Sequence, residues 1–152
     1  GHLKKGHGAA FGDVDNDGDL DLLEQLGGWF SDARAFNALF RNDGPAVGGR
    51  WLTLRLRGTR SNRSGLGARV TAWIEESGVE RPVRTICGPG ASFGGSSLQV
   101  ELGLGAAERL KRVEILWPRP GGLTERTEAY RGVPLDSVVT VTEGGGWEPA
   151  PG

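Results

Sequence analysis

Apolar and polar residues alternate with a period of two from Arg50 onward. In RWLTLRLR, the leucines at 52, 54 and 56 point to one face of a strand, and the threonine and arginines between them point to the other. The same alternation returns in ARVTAWIE, SLQVELGLG, RVEILW and SVVTVTEG. Short strands separated by Gly, Pro, Asn or Ser predict an all-β fold, a compact antiparallel sandwich or a barrel.

The pattern before Arg50 is less regular and predicts a separate unit. Glycines interrupt short segments there, and we expect a helical turn near SDARAF, a strand at Ala38–Arg41 and a turn at NDG. PAVGG, residues 45–49, is the best candidate for a boundary. The segment GAAERLKR, residues 105–112, indicates a brief helix, and GGGWEPAPG a flexible tail. The predicted organisation is therefore a first unit at 1–45, a β-domain at 46–143 and a tail at 144–152.

An acidic loop in the first unit predicts a metal site. FGDVDNDGDLDLLE carries six carboxylates within twelve residues and no Lys or Arg, so their mutual repulsion favours a bound cation. The spacing Asp-x-Asp-x-Asp-Gly places carboxylates at loop positions 1, 3 and 5, and the glycine permits a sharp reversal. Hard oxygen donors without His or Cys favour Ca²⁺ over Zn²⁺ or copper. The predicted ligands are the side chains of Asp13, Asp15, Asp17 and Asp21 and the backbone carbonyl of Asp19.

The flanks of this loop decide between two kinds of calcium site. Glu24 stands at position 12, so the formal EF-hand pattern is satisfied. An EF-hand needs a helix on each side, whereas GHLKKGHGAAFG and LLEQLGG are interrupted by glycines that disfavour helices. We therefore expect a loop between two strands. The EF-hand stays an alternative, with Glu24 a doubtful ligand.

Composition and charge narrow the classes of function. The chain has 152 residues, 27 glycines and a net charge of −1. Six arginines without an acidic residue among them could contact nucleic acid or a sulfated glycan. We favour the simpler interpretation that they lie on a solvated strand face, and we do not expect a dedicated nucleic-acid-binding module. They are Arg50, Arg55, Arg57, Arg60, Arg63 and Arg69. A single cysteine, Cys87, excludes an intrachain disulfide, and no apolar run is long enough to span a membrane.

Catalytic chemistry has little support in the sequence. His2 and His7 are the only histidines, no serine stands in a nucleophile elbow, and no nucleophile–base pair is evident, so we predict that the chain is not an enzyme. Trp29 and Trp73 could instead stack on a sugar ring if exposed. The sequence therefore predicts a binding module.

Two stretches resemble known families. HGAAFGDVDNDGDLDLLE resembles the FG-GAP (VCBS) repeat, a β-propeller blade motif whose Asp-rich hairpin loop binds Ca²⁺. NALFRNDG, RWLTLRLRGTRSNRSGLGARVTAW, GPGASFGGSSLQVELGLG and VEILWPRPGG resemble the ASPIC/UnbV domain, which follows such a propeller in cartilage acidic protein and its bacterial relatives. Together the two resemblances cover about residues 6–143.

The resemblance implies a partial propeller blade followed by a β-domain. One blade cannot bury both of its faces alone, so missing blades or a partner chain are expected to cover it, and the chain is expected to be part of a longer polypeptide. The implied function is an extracellular or periplasmic module for adhesion, assembly or ligand binding, with structural Ca²⁺ and a protein or glycan partner at the cell surface. The alternative is an accessory or enzymatic role in natural-product biosynthesis of the enediyne type.

Overall fold

The computed structural model describes residues 6–15, 17, 19–27, 36–42, 44, 49–88, 90, 95–118 and 126–151. Within these ranges the chain forms eleven β-strands and no helix, which confirms the all-β class. The chain divides into two compact units. The first comprises Gly1–Ala46 with Gly88–Ser97, and the second comprises Val47–Cys87 with Leu98–Gly152. No helix in the described ranges is long and apolar enough to cross a membrane.

The first unit contains a three-stranded antiparallel sheet in the order β1-β2-β3. Its strands are β1 (Gly6–Gly12), β2 (Asp21–Leu26) and β3 (Ala38–Phe40). The strand expected at Ala38–Arg41 is therefore present, while most of the expected helical turn lies outside the described residues. The backbone N–H of Phe11 donates a hydrogen bond to Ser96 Oγ at 3.2 Å, which connects the segment Gly88–Ser97 to β1.

The second unit consists of two four-stranded sheets, β11-β10-β4-β7 and β6-β5-β8-β9. Its strands are β4 (Arg50–Arg57), β5 (Arg69–Glu76), β6 (Val79–Ile86), β7 (Val100–Gly105), β8 (Arg109–Trp117), β9 (Arg126–Tyr130), β10 (Val138–Thr142) and β11 (Trp147–Pro149). Strands β10 and β4 pair in parallel, and the remaining pairs are antiparallel. The expectation of a purely antiparallel domain is thus wrong for one pair, and the described strands form open sheets rather than a closed barrel.

The alternating apolar residues of both sheets form one core. The three leucines of β4 that alternation predicted on one face are all buried. On β5, Val70, Ala72 and Ile74 are buried, while the residues between them point to the other face and are partly exposed. Other buried members are Val100, Leu102, Leu104, Val113, Ile115, Trp117, Tyr130, Val139 and Val141. Burial of these apolar surfaces is the main term that stabilises the second unit.

The expected helix at 105–112 is absent, and its second half is strand. Gly105 adopts a φ of 62°, a left-handed conformation that ends β7 in a turn. Strand β8 begins at Arg109, and Leu110 pairs with Ile74 of β5. Pairing with β5 and burial of Leu110 therefore prevail over the helical propensity of AAERLKR.

The expected tail at 144–152 also contains structure. Trp147–Pro149 form β11, which pairs antiparallel with β10. The Trp147 indole packs against the core, and its Nε1–H donates to the backbone carbonyl of Arg131 at 2.9 Å. The C-terminal strand thus covers one edge of a sheet and contributes an aromatic side chain to the core.

Replacing Trp147 tests this role of the C-terminal strand. We expect Trp147→Ala to lower the free energy of unfolding by about 2–3 kcal/mol, because the substitution removes packing and a hydrogen bond. Urea denaturation followed by circular dichroism measures the loss. Glu148→Ala on the same strand is the control, since that side chain is 62% exposed in its pair with Arg57. Equal stability of Trp147→Ala and the unaltered chain would show that the strand is dispensable.

Candidate metal site in the acidic loop

The acidic loop connects the two long strands of the first unit. Gly12, the last residue of β1, pairs with Asp21, the first residue of β2, so the loop closes a hairpin. One carboxylate oxygen from each of Asp13, Asp15 and Asp21 lies within 4.8 Å of the other two. The structure therefore brings three of the five predicted ligands together in the way that a single cation requires.

Asp21 anchors the loop. Its side chain is buried, and its two oxygens accept hydrogen bonds from the backbone N–H of Val14 at 2.9 Å and of Asn42 at 2.8 Å. These two bonds hold the pKa of Asp21 below its usual range, against the effect of burial. Each oxygen keeps a second lone pair, so Asp21 can fix the loop and still ligate a cation.

Two further aspartates shape the loop from within. Asp13 Oδ1 accepts the backbone N–H of Asp17 at 3.1 Å, and Asp17 Oδ1 accepts the backbone N–H of Asp19 at 3.1 Å. Short polar side chains commonly stabilise turns in this way. The loop is thus held in a curved conformation by its own carboxylates, with Asp17 placed as a turn former outside the converging triad.

Asp19 is the loop carboxylate whose charge is least well stabilised. Both of its carboxylate oxygens are buried, and within the described part of the chain neither accepts a well-directed hydrogen bond. Burial and the charges of Asp17 and Asp21 raise its pKa, although the nearby Gly44 N–H acts in the opposite direction. A buried carboxylate without a donor is destabilising, and a cation would offset that cost. The prediction for Asp19 concerned its carbonyl, and the structure adds the carboxylate as a second source of oxygen.

One arginine forms a long, exposed ion pair with the loop. Arg41 Nη1 lies 3.7 Å from Asp15 Oδ2, and the two side chains are 62% and 34% exposed. An exposed ion pair at this distance contributes little stability. The repulsion among the loop carboxylates therefore remains largely uncompensated by this pair.

Glu24 lies away from the converging carboxylates. It stands three positions after Asp21 on β2, so strand alternation directs the two side chains to opposite faces. Its carboxylate occupies the space beside Gly6 that a side chain there would need, at the far end of the hairpin. Strands β1 and β2 flank the loop where an EF-hand would have helices, so the EF-hand alternative is wrong for this structure.

The arginine run between Arg50 and Arg69 is mostly engaged in contacts with other parts of the second unit. Arg50 pairs with Asp136 at 2.7 Å, Arg57 with Glu148 at 3.5 Å and Arg60 with Glu128 at 3.2 Å. Arg55 donates to Gln99 Oε1 and to the carbonyl of Pro151. These contacts distribute the positive charge of the arginine run among several separate partners, which agrees with the interpretation of the run as a solvated strand face.

Of the tryptophans considered as a sugar platform, Trp29 lies outside the described residues and Trp73 is only partly buried. The Arg112 guanidinium lies over the Trp73 ring, 4.5 Å from its centroid. His2 also lies outside the described residues, and His7 is exposed on β1.

Sequence reasoning missed a buried carboxylate in the second unit. Glu143 is 3% exposed, and its Oε2 accepts the backbone N–H groups of Thr59, Arg60 and Ser61 at 2.8–2.9 Å. The Ser61 hydroxyl donates to Oε1 at 3.1 Å. These hydrogen bonds overcome the effect of burial and lower the pKa of Glu143 to about 2. The sequence did contain a signal for this burial, because the alternation that turns Val139 and Val141 into the core also directs residue 143 inward.

Comparison with known proteins gives one match. A sequence model of the family described as ASPIC and UnbV matches residues 58–147, more than half of the chain. The matched range includes Glu143 and most of the second unit, whereas the acidic loop precedes it. No curated protein matches the sequence.

The Glu143 contacts predict an acid-sensitive step in stability. Because the folded pKa is about 2 against an ordinary value of 4.5, the stabilisation is fully present above about pH 4.5 and is lost as the pH falls towards 2. We expect Glu143→Gln to lower the free energy of unfolding by about 2–3 kcal/mol at pH 7. The difference from the unaltered chain should shrink towards pH 2.

Urea denaturation of both proteins at a series of pH values measures this difference. Glu148→Gln, an exposed change of the same chemistry, is the control and should follow the unaltered chain. A gap for Glu143→Gln that is equally large at pH 7 and pH 2 would contradict the assignment.

Proposed function

The chain belongs to the ASPIC and UnbV family, and we propose that it is a non-enzymatic, calcium-binding β-module of the extracellular space or periplasm. In this proposal Ca²⁺ has a structural role, and the module serves adhesion, assembly or ligand binding. The observation that carries it is the convergence of Asp13, Asp15 and Asp21, together with the buried carboxylate of Asp19, which accepts no well-directed hydrogen bond from the described residues.

The donor set suits Ca²⁺. The side chains of Asp13, Asp15, Asp17 and Asp21 and either oxygen source of Asp19 would supply oxygen ligands only, and the converging cluster contains no His or Cys. Ca²⁺ takes roughly six to eight such ligands in flexible geometry, with water completing the shell. Zn²⁺ prefers nitrogen and sulfur donors and fewer ligands, so the donor chemistry favours calcium.

The ion would stabilise the first unit by neutralising its loop. Asp21 already links the hairpin to Asn42 after β3, so a cation at this carboxylate would couple the loop to all three strands. Binding to the folded state alone adds about 2 kcal/mol of stability when free calcium is twenty times the dissociation constant. A site of modest affinity would therefore be filled at the millimolar calcium of extracellular fluid.

The surface of the small sheet supports an assembly role. Phe11 and Phe40 flank Leu22 in one cross-strand row and are 49% and 48% exposed. On the opposite face, Leu23 and Leu39 pair with each other and are 48% and 56% exposed. A sheet with exposed apolar side chains on both faces needs cover on both. We propose that neighbouring FG-GAP-like blades supply this cover, or a partner chain where such blades are missing.

Calcium titration tests the metal site. We expect isothermal titration calorimetry of the intact chain to show saturable Ca²⁺ binding, and thermal unfolding to occur at a higher temperature with calcium than with chelator. Asp15→Asn should weaken binding at least about tenfold, because it removes a charged ligand that otherwise makes only an exposed ion pair.

Glu24→Gln is the matched control, since Glu24 lies on the opposite face of β2. It should change calcium affinity by less than about twofold. Absence of binding heat together with equal melting temperatures in calcium and chelator would refute the metal site. A large loss of affinity in Glu24→Gln would refute the ligand assignment.

A further inference from the structure

The outer face of the sheet β6-β5-β8-β9 carries a groove that neither the family match nor the acidic loop explains. Along β5, Val70, Ala72 and Ile74 point into the core, so Arg69, Thr71 and Trp73 point outward. The groove has a volume of about 630 Å³ over this outward side. It lies entirely within the second unit.

Two neighbouring cross-strand rows form the floor of the groove. In the first, Arg69 is paired with Ile86 of β6 and with Leu116 of β8. Thr127 of β9 extends this first row, because it is paired with Leu116. In the second row, Thr71 is paired with Arg84 of β6 and Glu114 of β8. Paired residues share a face of the sheet, so apolar, hydroxyl and guanidinium groups and the Glu114 carboxylate line one surface.

The two carboxylates of this surface are both held by one arginine. Arg112 donates from Nε to Glu114 and from Nη1 to Glu80, both at 2.8 Å, while its guanidinium lies over the Trp73 ring. Three charged groups thus form one fixed network beside the groove. Because the Arg112 guanidinium bridges the two carboxylates with one charge-assisted hydrogen bond to each, it holds both in place.

The two remaining arginines keep their charge available. Among the residues that the structure describes, neither Arg69 nor Arg84 forms an ion pair, and both are exposed. Arg84 lies 6.0 Å from the Trp73 ring centroid, at the limit of a cation–π contact. Diagonal positions on adjacent strands are roughly 7–8 Å apart, so both guanidinium groups can reach one anionic group between them. With Arg112, Glu80 and Glu114 included, the surface carries one net positive charge.

We propose that this groove binds an acidic saccharide, with the carboxylate or sulfate of one sugar unit held between Arg69 and Arg84. The apolar side chains of Ile86 and Leu116 contact the sugar ring, and the hydroxyls of Thr71 and Thr127 bond its hydroxyl groups. The site is separate from the acidic loop and does not depend on the calcium proposal.

The position of the groove favours a saccharide over an acidic peptide. The backbone N–H and C=O groups of β5 and β8 are used by their neighbours within the sheet, so a ligand on the face meets side chains only. Peptides bound by strand addition pair with a free sheet edge, and in this sheet the edges are β6 and β9, so such a peptide would lie beside the sheet rather than on its face. A saccharide needs only side-chain donors, acceptors and apolar contacts, which this surface offers.

Binding of defined oligosaccharides to the full chain tests the proposal. The probes are a hyaluronan hexasaccharide for carboxylate, a sulfated dextran oligosaccharide of similar length for sulfate, and neutral dextran. Calorimetry and NMR titration at physiological salt should show saturable binding of at least one acidic probe and none of neutral dextran. The Arg69→Gln/Arg84→Gln variant should bind at least about tenfold more weakly, because charge-assisted hydrogen bonds are lost.

The Arg57→Gln/Arg63→Gln variant is the matched control, with the same loss of charge outside the groove. It should keep binding within about threefold, and the circular dichroism of both variants should match that of the unaltered chain. Which acidic probe binds more tightly distinguishes carboxylate from sulfate recognition. The proposal is overturned if neither acidic probe binds, if the control loses as much affinity as the groove variant, or if hexaglutamate binds as tightly as the saccharides.

Discussion

A β-strand directs consecutive side chains to opposite faces of its sheet, and the core, the groove and the placement of Glu24 all depend on that alternation. In β5 it sends Val70, Ala72 and Ile74 into the core and leaves Arg69, Thr71 and Trp73 outside. In β2 it separates Asp21, which joins the loop carboxylates, from Glu24, which does not. One rule of backbone geometry therefore divides the residues that hold the fold from those available for binding.

Buried carboxylates are used in two different ways in the two units. Glu143 is saturated by hydrogen-bond donors, so its charge is stable where it lies and it fixes residues 59–61. The carboxylate oxygens of Asp19 are buried near other carboxylates and accept no well-directed hydrogen bond in the described part of the chain, so their charge is destabilising unless a cation is close. The contrast in donors explains why the pKa of one is lowered and that of the other is raised.

Local patterns were enough to predict β4, β5, β7, β8 and β10, because period-two alternation is directly visible in segments such as RWLTLRLR. Strands β6, β9 and β11 were not predicted, since their segments lack a clear alternation. Loop spacing was enough to bring Asp13, Asp15 and Asp21 together. Non-local features could not be read in this way: the parallel pairing of β10 with β4 and the grouping of Gly88–Ser97 with the first unit depend on distant contacts. The segment at 105–112 was misjudged because its pairing with β5 outweighs local helical propensity.

The parallel pairing of β4 and β10 has a consequence for how the chain acquires its structure. Leu54 on β4 meets Val139 on β10, so one edge of the earliest strand of the second unit stays open until Val138–Thr142 are available. Loop-closure entropy must be overcome before such distant pairings add stability, which makes folding slow relative to proteins with mostly local contacts. During synthesis on the ribosome, this edge of β4 would therefore stay unpaired until β10 emerges, and an unpaired strand edge is a site of aggregation that chaperone binding would protect.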